Sequence, residues 1–324
     1  MRKLEKTAQG YFDKGLAEST KKSYSSARNR YLAFCTESAL DPFPVNEHKL
    51  SLFVSYAAQS GLKYQTIKCY LSGIRYAQIS LNMGDPFAGN IMPRLEYITK
   101  GIKRAESENP ARKTLVRMPI TPTILQRLKQ EWEKSALTND TVMIWAACTL
   151  AFFGFLRIGE MTIANNSAYD PSIHLSISDV TFDHASSPSA MFITIKASKT
   201  DPFRKGITLA LGRTYRPLCP VAAMAAYLQR RGTGSGPLFR FMDGEPLTRK
   251  KFVDQVKKGL TAAGVDQKKY NGHSFRIGAA TTAAMKGMED SLIKTLGRWE
   301  SAAYLRYVKI PREQLLSYTR AMEA

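Results

Sequence analysis

Apolar residues recur at helical spacing along the first third of the chain. Over residues 20–37, Tyr24, Ala27, Tyr31 and Phe34 share one face behind a possible cap at Ser19 or Thr20, and Asp41-Pro42-Phe43-Pro44 stops the pattern. Asn46 is placed to cap a second helix carrying Leu50, Phe53, Val54 and Ala57, which Gly61 closes. A third helix over 64–81 turns Ile67, Leu71, Ile74 and Ile79 inward, and 93–104 reads as a fourth. Periodicity is then lost among Glu106, Glu108, Asn109, Pro110, Arg112 and Lys113, as expected of a linker. Helical spacing resumes after Thr121-Pro122-Thr123 to about residue 134 and again in the strongly apolar stretch 142–153. Residues 173–182, 191–196 and 207–211 alternate as strands do, the last two joined by a polar, basic hairpin over 197–206. Cys219-Pro220 and Thr248 open two further helices, the second with a basic face. The pattern predicts a mainly α chain with a small antiparallel β-sheet. It comprises an all-α domain over 1–105, a linker over 106–118, an α+β domain over 119–310 and a terminal segment over 311–324. In that segment Leu315, Leu316, Tyr318 and Met322 form a short apolar stripe suited to another subunit.

Charge narrows the choice of partner. The 324 residues hold 47 Lys and Arg against 27 Asp and Glu, a formal net charge of +20, which calls for a polyanion. No apolar run reaches membrane-spanning length and the first residues lack the apolar core of a signal peptide, so no membrane is expected. Cys35, Cys69, Cys148 and Cys219 lie far apart in sequence and suggest neither a metal site nor a disulfide framework. The glycine-rich run 231–236 has no Lys-Ser/Thr pair after it and is not a phosphate-binding loop. Candidate DNA contacts are Lys63, Gln65, Lys68 and Arg75 on the third helix and Arg249, Lys250 and Lys251 on the helix behind Thr248. A solvated helix face would carry the same residues.

The chemistry concentrates in the second domain. His273 and Arg276, in Gly272-His273-Ser274-Phe275-Arg276-Ile277-Gly278-Ala279-Ala280, are three apart and share a helix face. Arg157 stands in the apolar run Phe155-Leu156-Arg157-Ile158 and needs a partner, which Glu160 one turn away can supply. Tyr304 and Tyr307 follow Leu296-Gly297-Arg298-Trp299. A phenol beside guanidiniums and an imidazole suits attack on a phosphodiester, with arginines holding the phosphate oxygens and the tyrosine as nucleophile. Either tyrosine could serve. Lys199 stands at the hairpin tip, with Lys196, Arg204 and Lys205 as the neighbouring cations that could take its place.

In their order, Arg157 with Glu160, Lys199, His273 with Arg276, Trp299 and Tyr307 resemble the motifs of the tyrosine recombinase (phage integrase-like) family. The His-Ser-x-Arg-hydrophobic-Gly-Ala-Ala run and the tryptophan are similar to those of the Cre type. Gly297-Arg298-Trp299-Glu300-Ser301 looks like the recombinases of eukaryotic DIRS, Ngaro and Crypton mobile elements. The interval from Trp299 to Tyr307 is eight residues, one shorter than in many members, and tryptophan replaces the more frequent histidine.

The resemblance implies an N-terminal core-binding domain and a C-terminal catalytic domain. It implies a site-specific DNA recombinase or integrase that cuts and rejoins strands through a 3′-phosphotyrosyl intermediate formed by Tyr307, without metal, cofactor or ATP. It also implies that Lys199 protonates the departing 5′ oxygen, that a homo-tetramer assembles on two double-stranded DNA sites in the service of a transposable element, and that the protein is nuclear in a eukaryote or cytoplasmic in a bacterium. An inactive DNA-binding relative and a type IB topoisomerase-like enzyme are the alternatives.

Overall fold

A computed structural model describes residues 1–89, 91–112, 115–134, 138–310 and 316. The apolar stripe expected over 311–324 lies almost wholly outside the described residues. The chain divides into two compact units, Met1–Thr114 and Leu115–Ala324.

The first unit is all-helical: α1 (Arg2–Lys14), α2 (Glu18–Glu37), α3 (Glu47–Gln59), α4 (Tyr64–Ser80) and α5 (Pro93–Glu108). Asn46 caps α3, its side chain accepting the Lys49 N–H, and Pro93 sits in the first turn of α5. The core holds Tyr31, Phe34, Leu50, Phe53, Val54, Ile67, Ile74 and Leu95, largely the inward positions that the periodicity predicts. Gly73 lets α4 approach α2, since a Cβ there would lie 2.6 Å from that of Ala27. Helix α5 runs past residue 105 to Glu108, so the first residues of the expected linker are helical. The pattern did not predict α1, which buries none of its residues and rests Phe12 on Tyr76, ring centroids 5.2 Å apart.

The second unit is built around α7 (Asn139–Phe153), which is buried over nearly every face from Met143 to Phe152. It packs against α6 (Pro122–Lys134), α8 (Pro220–Arg231), α9 (Arg249–Ala262) and α10 (His273–Met285). Thr138 and Thr248 cap α7 and α9 through their hydroxyls, and the Cys219 thiol caps α8. The antiparallel sheet has the order β1 (Val180–Phe182), β2 (Ala190–Ile195), β3 (Ile207–Gly212), with Met191, Ile193 and Ile195 turned into the core. The strand expected over 173–182 is confined to its last three residues. Ile177–Asp179 forms a 3₁₀ turn before it, held by the Asp179 carboxylate, which accepts the Ser176 N–H at 2.7 Å. A short helix, α11 (Asp290–Gly297), follows α10, and the chain then forms a 3₁₀ turn over Ala302–Arg306.

Close packing of α10 depends on Gly278. A Cβ there would lie 1.8 Å from the carbonyl oxygen of Ile120, whose N–H donates to Ser274 O on the same helix at 2.9 Å. A backbone carbonyl held in that way cannot step aside as a flexible side chain could. Gly278→Ala is expected to lower the stability of this unit by about 1–3 kcal/mol, the usual cost of overpacking, as read by urea denaturation. An unchanged midpoint would show that the helix shifts freely.

Candidate active site

The site begins where α7 ends. Phe155 takes a left-handed turn (φ 49°), unusual for an aromatic residue, and its carbonyl accepts from two arginines, Arg276 Nη1 at 2.7 Å and Arg298 Nη2 at 3.3 Å. The chain then emerges at Arg157, the N-cap of a 3₁₀ turn over Ile158–Glu160. The buried Glu160 carboxylate is shared. It accepts the Arg157 N–H at 3.0 Å, pairs with Arg157 Nη1 at 2.9 Å, and pairs with Arg298 Nη2 at 2.9 Å. Arg298 follows α11 in a left-handed conformation, and its Nη1 also donates to Gly154 O at 3.0 Å.

Arg276 is fully buried on α10. Besides its bond to Phe155 it donates to Gly297 O, while its Nε has no hydrogen-bond partner among the described residues. Its guanidinium carbon lies 4.2 Å from the centre of the Trp299 ring and 5.7 Å from that of Tyr307. Gly297 permits this stack, because a Cβ there would fall 1.6 Å from the Trp299 ring. Burial first, then Arg157 and Arg298, lower the Arg276 pKa to about 10 against the opposing pull of Glu160 and Tyr307, so the group keeps its charge at neutral pH. Burial also lowers the pKa of Arg298, with Glu160 opposing. Two guanidiniums thus pair with one carboxylate while a third, Arg276, lies within its electrostatic reach, which leaves an excess of positive charge that an anion would balance.

Tyr307 directly follows the Ala302–Arg306 turn, and Thr281 of α10 fixes its backbone: Thr281 Oγ1 donates to Tyr307 O at 3.1 Å and accepts the Lys309 N–H at 2.9 Å. Tyr304 and Tyr307 do not share one exposed helix face. Tyr304 is buried and the nearby Asp290 raises the pKa of its phenol, whereas Tyr307 is half-buried against Arg276 and Trp299.

Beside this cluster opens a cleft of about 440 Å³ lined by Arg157, Glu160, Lys199, Arg249, Asn271 and His273 among others. His273 begins α10, with its N–H donating to Asn271 Oδ1 at 2.9 Å. Its ring is exposed, yet partial desolvation, then Arg276, Arg157, Lys199 and Arg249, hold its pKa below the ordinary 6.5. It is therefore neutral at pH 7 and can accept a proton or a hydrogen bond. Lys196 is excluded from the cleft chemistry by its own partners, Asp179 Oδ2 and Pro171 O, both at 2.7 Å.

The residues that the sequence singles out thus fall into two adjoining groups. Arg157, Glu160, Lys199 and His273 line the cleft, while Arg276, Trp299 and Tyr307 stack together, tied to the first group through Phe155 O, Arg298 and Glu160. Arg249, expected on a DNA-facing helix surface, lines the cleft as well, its guanidinium against Gly159. Lys250 of the same helix is exposed, and Lys251 is engaged by the Phe241 ring and Glu245. In the other unit Lys63, Gln65 and Lys68 are exposed, whereas Arg75 is bound to both carboxylate oxygens of Asp85.

Sequence reasoning overlooked Thr281 and Arg298. The short interval was the available signal for the latter: Arg298, not Trp299, stands nine residues before Tyr307.

No family model matches the chain. It is 23% identical over 319 residues to an integrase/recombinase xerD homolog of Selenomonas ruminantium, covering 95% of this chain and 86% of that protein. The fold is similar to XerH site-specific recombinase in a post-cleavage complex with palindromic difH substrate (TM-score 0.66, 16% identity, 94% of this chain and 80% of that one). It is also similar to the Tn1549 transposon integrase in complex with transposon right-end DNA (TM-score 0.55, 14% identity, 94% and 99%).

Proposed function

We propose that this chain, which is similar in sequence and fold to tyrosine recombinases and integrases, cuts and rejoins double-stranded DNA through a 3′-phosphotyrosyl intermediate. One observation carries this reading: three guanidiniums gather around a single carboxylate that pairs with two of them, and a tyrosine ring lies against the third, beside a cationic cleft. Such an arrangement favours an anionic, pentacoordinate phosphoryl transition state over any neutral ligand.

In the proposed step the Tyr307 oxygen attacks phosphorus and forms the Tyr307–phosphate bond as the bond to the 5′ oxygen breaks. Neutral His273 takes the phenolic proton or relays it, and Lys199 protonates the departing 5′ oxygen. Arg157 and Arg276 hold the non-bridging oxygens, with Glu160 orienting Arg157. Arg276 is enclosed by its neighbours, so Trp299 or Tyr307 must shift before it touches a phosphate. The ester keeps the free energy of the broken bond, so rejoining to a second strand consumes no ATP. Exchange between two duplexes cuts four strands, which suits a homo-tetramer on two sites, and integration of a mobile element is the use we assign to it. Trp299 acts through its ring on Arg276, and Lys63, Gln65, Lys68 and Lys250 are the exposed groups best placed to bind backbone phosphates.

Incubation with a randomised duplex library nicked to trap cleavage, followed by denaturing electrophoresis and sequencing of the attached strands, tests the reading. A covalent adduct on one recovered sequence is expected, and strand exchange between two labelled copies of it separates recombination from simple relaxation. Absence of adduct on every duplex would refute the proposal. Lys199→Ala is expected to slow cleavage roughly 10²–10⁴-fold with DNA binding retained. A bridging 5′-thio leaving group, which needs no proton, should restore the rate. Failure of that rescue in Lys199→Ala, with rescue in Lys205→Ala, would move the acid to Lys205.

A further inference from the structure

The hairpin between β2 and β3 carries a second feature besides Lys199. It is built from two consecutive turns that share Asp201. In the first, the Asp201 N–H donates to Ser198 O at 3.2 Å, which places Lys199 and Thr200 at the corner. In the second, the Arg204 N–H donates to Asp201 O at 3.3 Å, which places Pro202 and Phe203 at the corner. The Asp201 carboxylate then accepts the N–H groups of Lys205 at 3.0 Å and Gly206 at 2.8 Å, and Arg204 and Gly206 adopt left-handed conformations that close the loop. The corner is therefore a fixed presentation rather than a loose tip.

At that corner Phe203 is 83% exposed. Turn corners ordinarily carry small or polar residues, and an aromatic ring held in water by an ordered loop is unfavourable unless something covers it. Its surroundings select the cover. Lys199, Arg204 and Lys205 are all exposed beside it, and the one carboxylate of the loop is spent on backbone N–H groups. A second copy of the same loop would be repelled by like charge. A partner with both negative charge and flat apolar faces is a nucleic acid.

We propose that Phe203 packs against or between the bases of the duplex beside the phosphate at which Lys199 acts. The inference rests on the DNA-cleaving reading of the cleft. Four residues of chain reach at most about 14 Å, roughly four base steps along a strand, which bounds where the contact falls. Apolar side chains that enter the minor groove in this way unstack a base step and bend the duplex. Phe203 would then shape the DNA so that the phosphate enters the cleft.

The test uses the full-length protein in a Tyr307→Phe background, which keeps it independent of cleavage, and the duplex recovered by covalent trapping. 2-Aminopurine is placed in turn at each of the four steps on either side of the mapped phosphate. A rise in its fluorescence on binding is expected at one step. It should be lost in Phe203→Ala and largely kept in Phe203→Leu, with about 5- to 100-fold weaker binding for the alanine variant. Thermal unfolding of Phe203→Ala should match the parent, because the side chain is exposed. A silent 2-aminopurine at every step, with adduct still formed by the native protein, overturns the wedge and leaves the recombinase reading standing. Absence of adduct from the native protein on all DNA overturns both. Silent 2-aminopurine with Phe203-dependent capture on phosphatidylserine vesicles, or with Phe203-dependent self-association in sedimentation, assigns the ring to a lipid surface or a second copy instead.

Discussion

Tyr307→Phe is expected to abolish the covalent protein–DNA adduct while leaving folding and DNA affinity intact. The substitution removes one oxygen and little volume. The half-buried ring would keep its place 5.3 Å from Trp299 and 5.7 Å from the Arg276 guanidinium, because Thr281 anchors the backbone rather than the phenol. Tyr304→Phe serves as the contrast. Its ring is buried and faces Lys294 at 5.4 Å, Asp290 raises the pKa of its phenol, and loss of that hydroxyl should spare the adduct at a modest cost in stability. The measurement is a nicked suicide duplex resolved by denaturing electrophoresis, with peptide mapping of the attached residue. Adduct surviving in Tyr307→Phe and vanishing in Tyr304→Phe would transfer the nucleophile. Adduct surviving in both would exclude a tyrosine of this segment.

Glu160→Gln is expected to lose about 3–5 kcal/mol of stability, the usual cost of breaking a buried ion pair, because Arg157 and Arg298 would lose their shared anion and face each other and Arg276 uncompensated. The same variant should lose cleavage, since Arg157 loses its orienting partner. Arg298→Met should follow it in direction: Glu160 loses one of its two cations, and the Gly154 carbonyl loses its donor. The two substitutions combined should cost less than the sum of each, as expected for groups in one network. A DNA phosphate supplies a replacement anion, so added DNA should raise the Tm of Glu160→Gln more than that of the native chain. Urea and thermal denaturation with and without DNA check both statements. A loss below about 1 kcal/mol, the level of a surface pair, would show that the network is dispensable.

Much of the fold is local in origin and is legible along the chain. The helices capped at Asn46, Thr138 and Thr248 and the hairpin of Ala190–Ile195 with Ile207–Gly212 follow from apolar spacing and turn chemistry that neighbouring residues carry themselves. Helix α1 escaped because it buries nothing, so its apolar residues answer to no core. Residues 173–179 alternate like a strand, but the local bonds of Asp179 to Ser176 turn them into a 3₁₀ segment before pairing begins at Val180.

The candidate site divides in the same way. The residue types, their order and the spacing of His273 and Arg276 belong to the sequence by itself, as do the net charge of +20 and the anionic partner it demands. Only the tertiary structure decided which cations are free to act and which are spent: Lys196 on Asp179, Arg75 on Asp85, Arg298 on a Glu160 lying 138 residues away, and Arg249 turned into the cleft. Periodicity records which face of an element is buried. It carries no record of which buried charge meets which, because a Coulombic partner is chosen by distance in space, and that distance exists only once α7, α10 and α11 have packed.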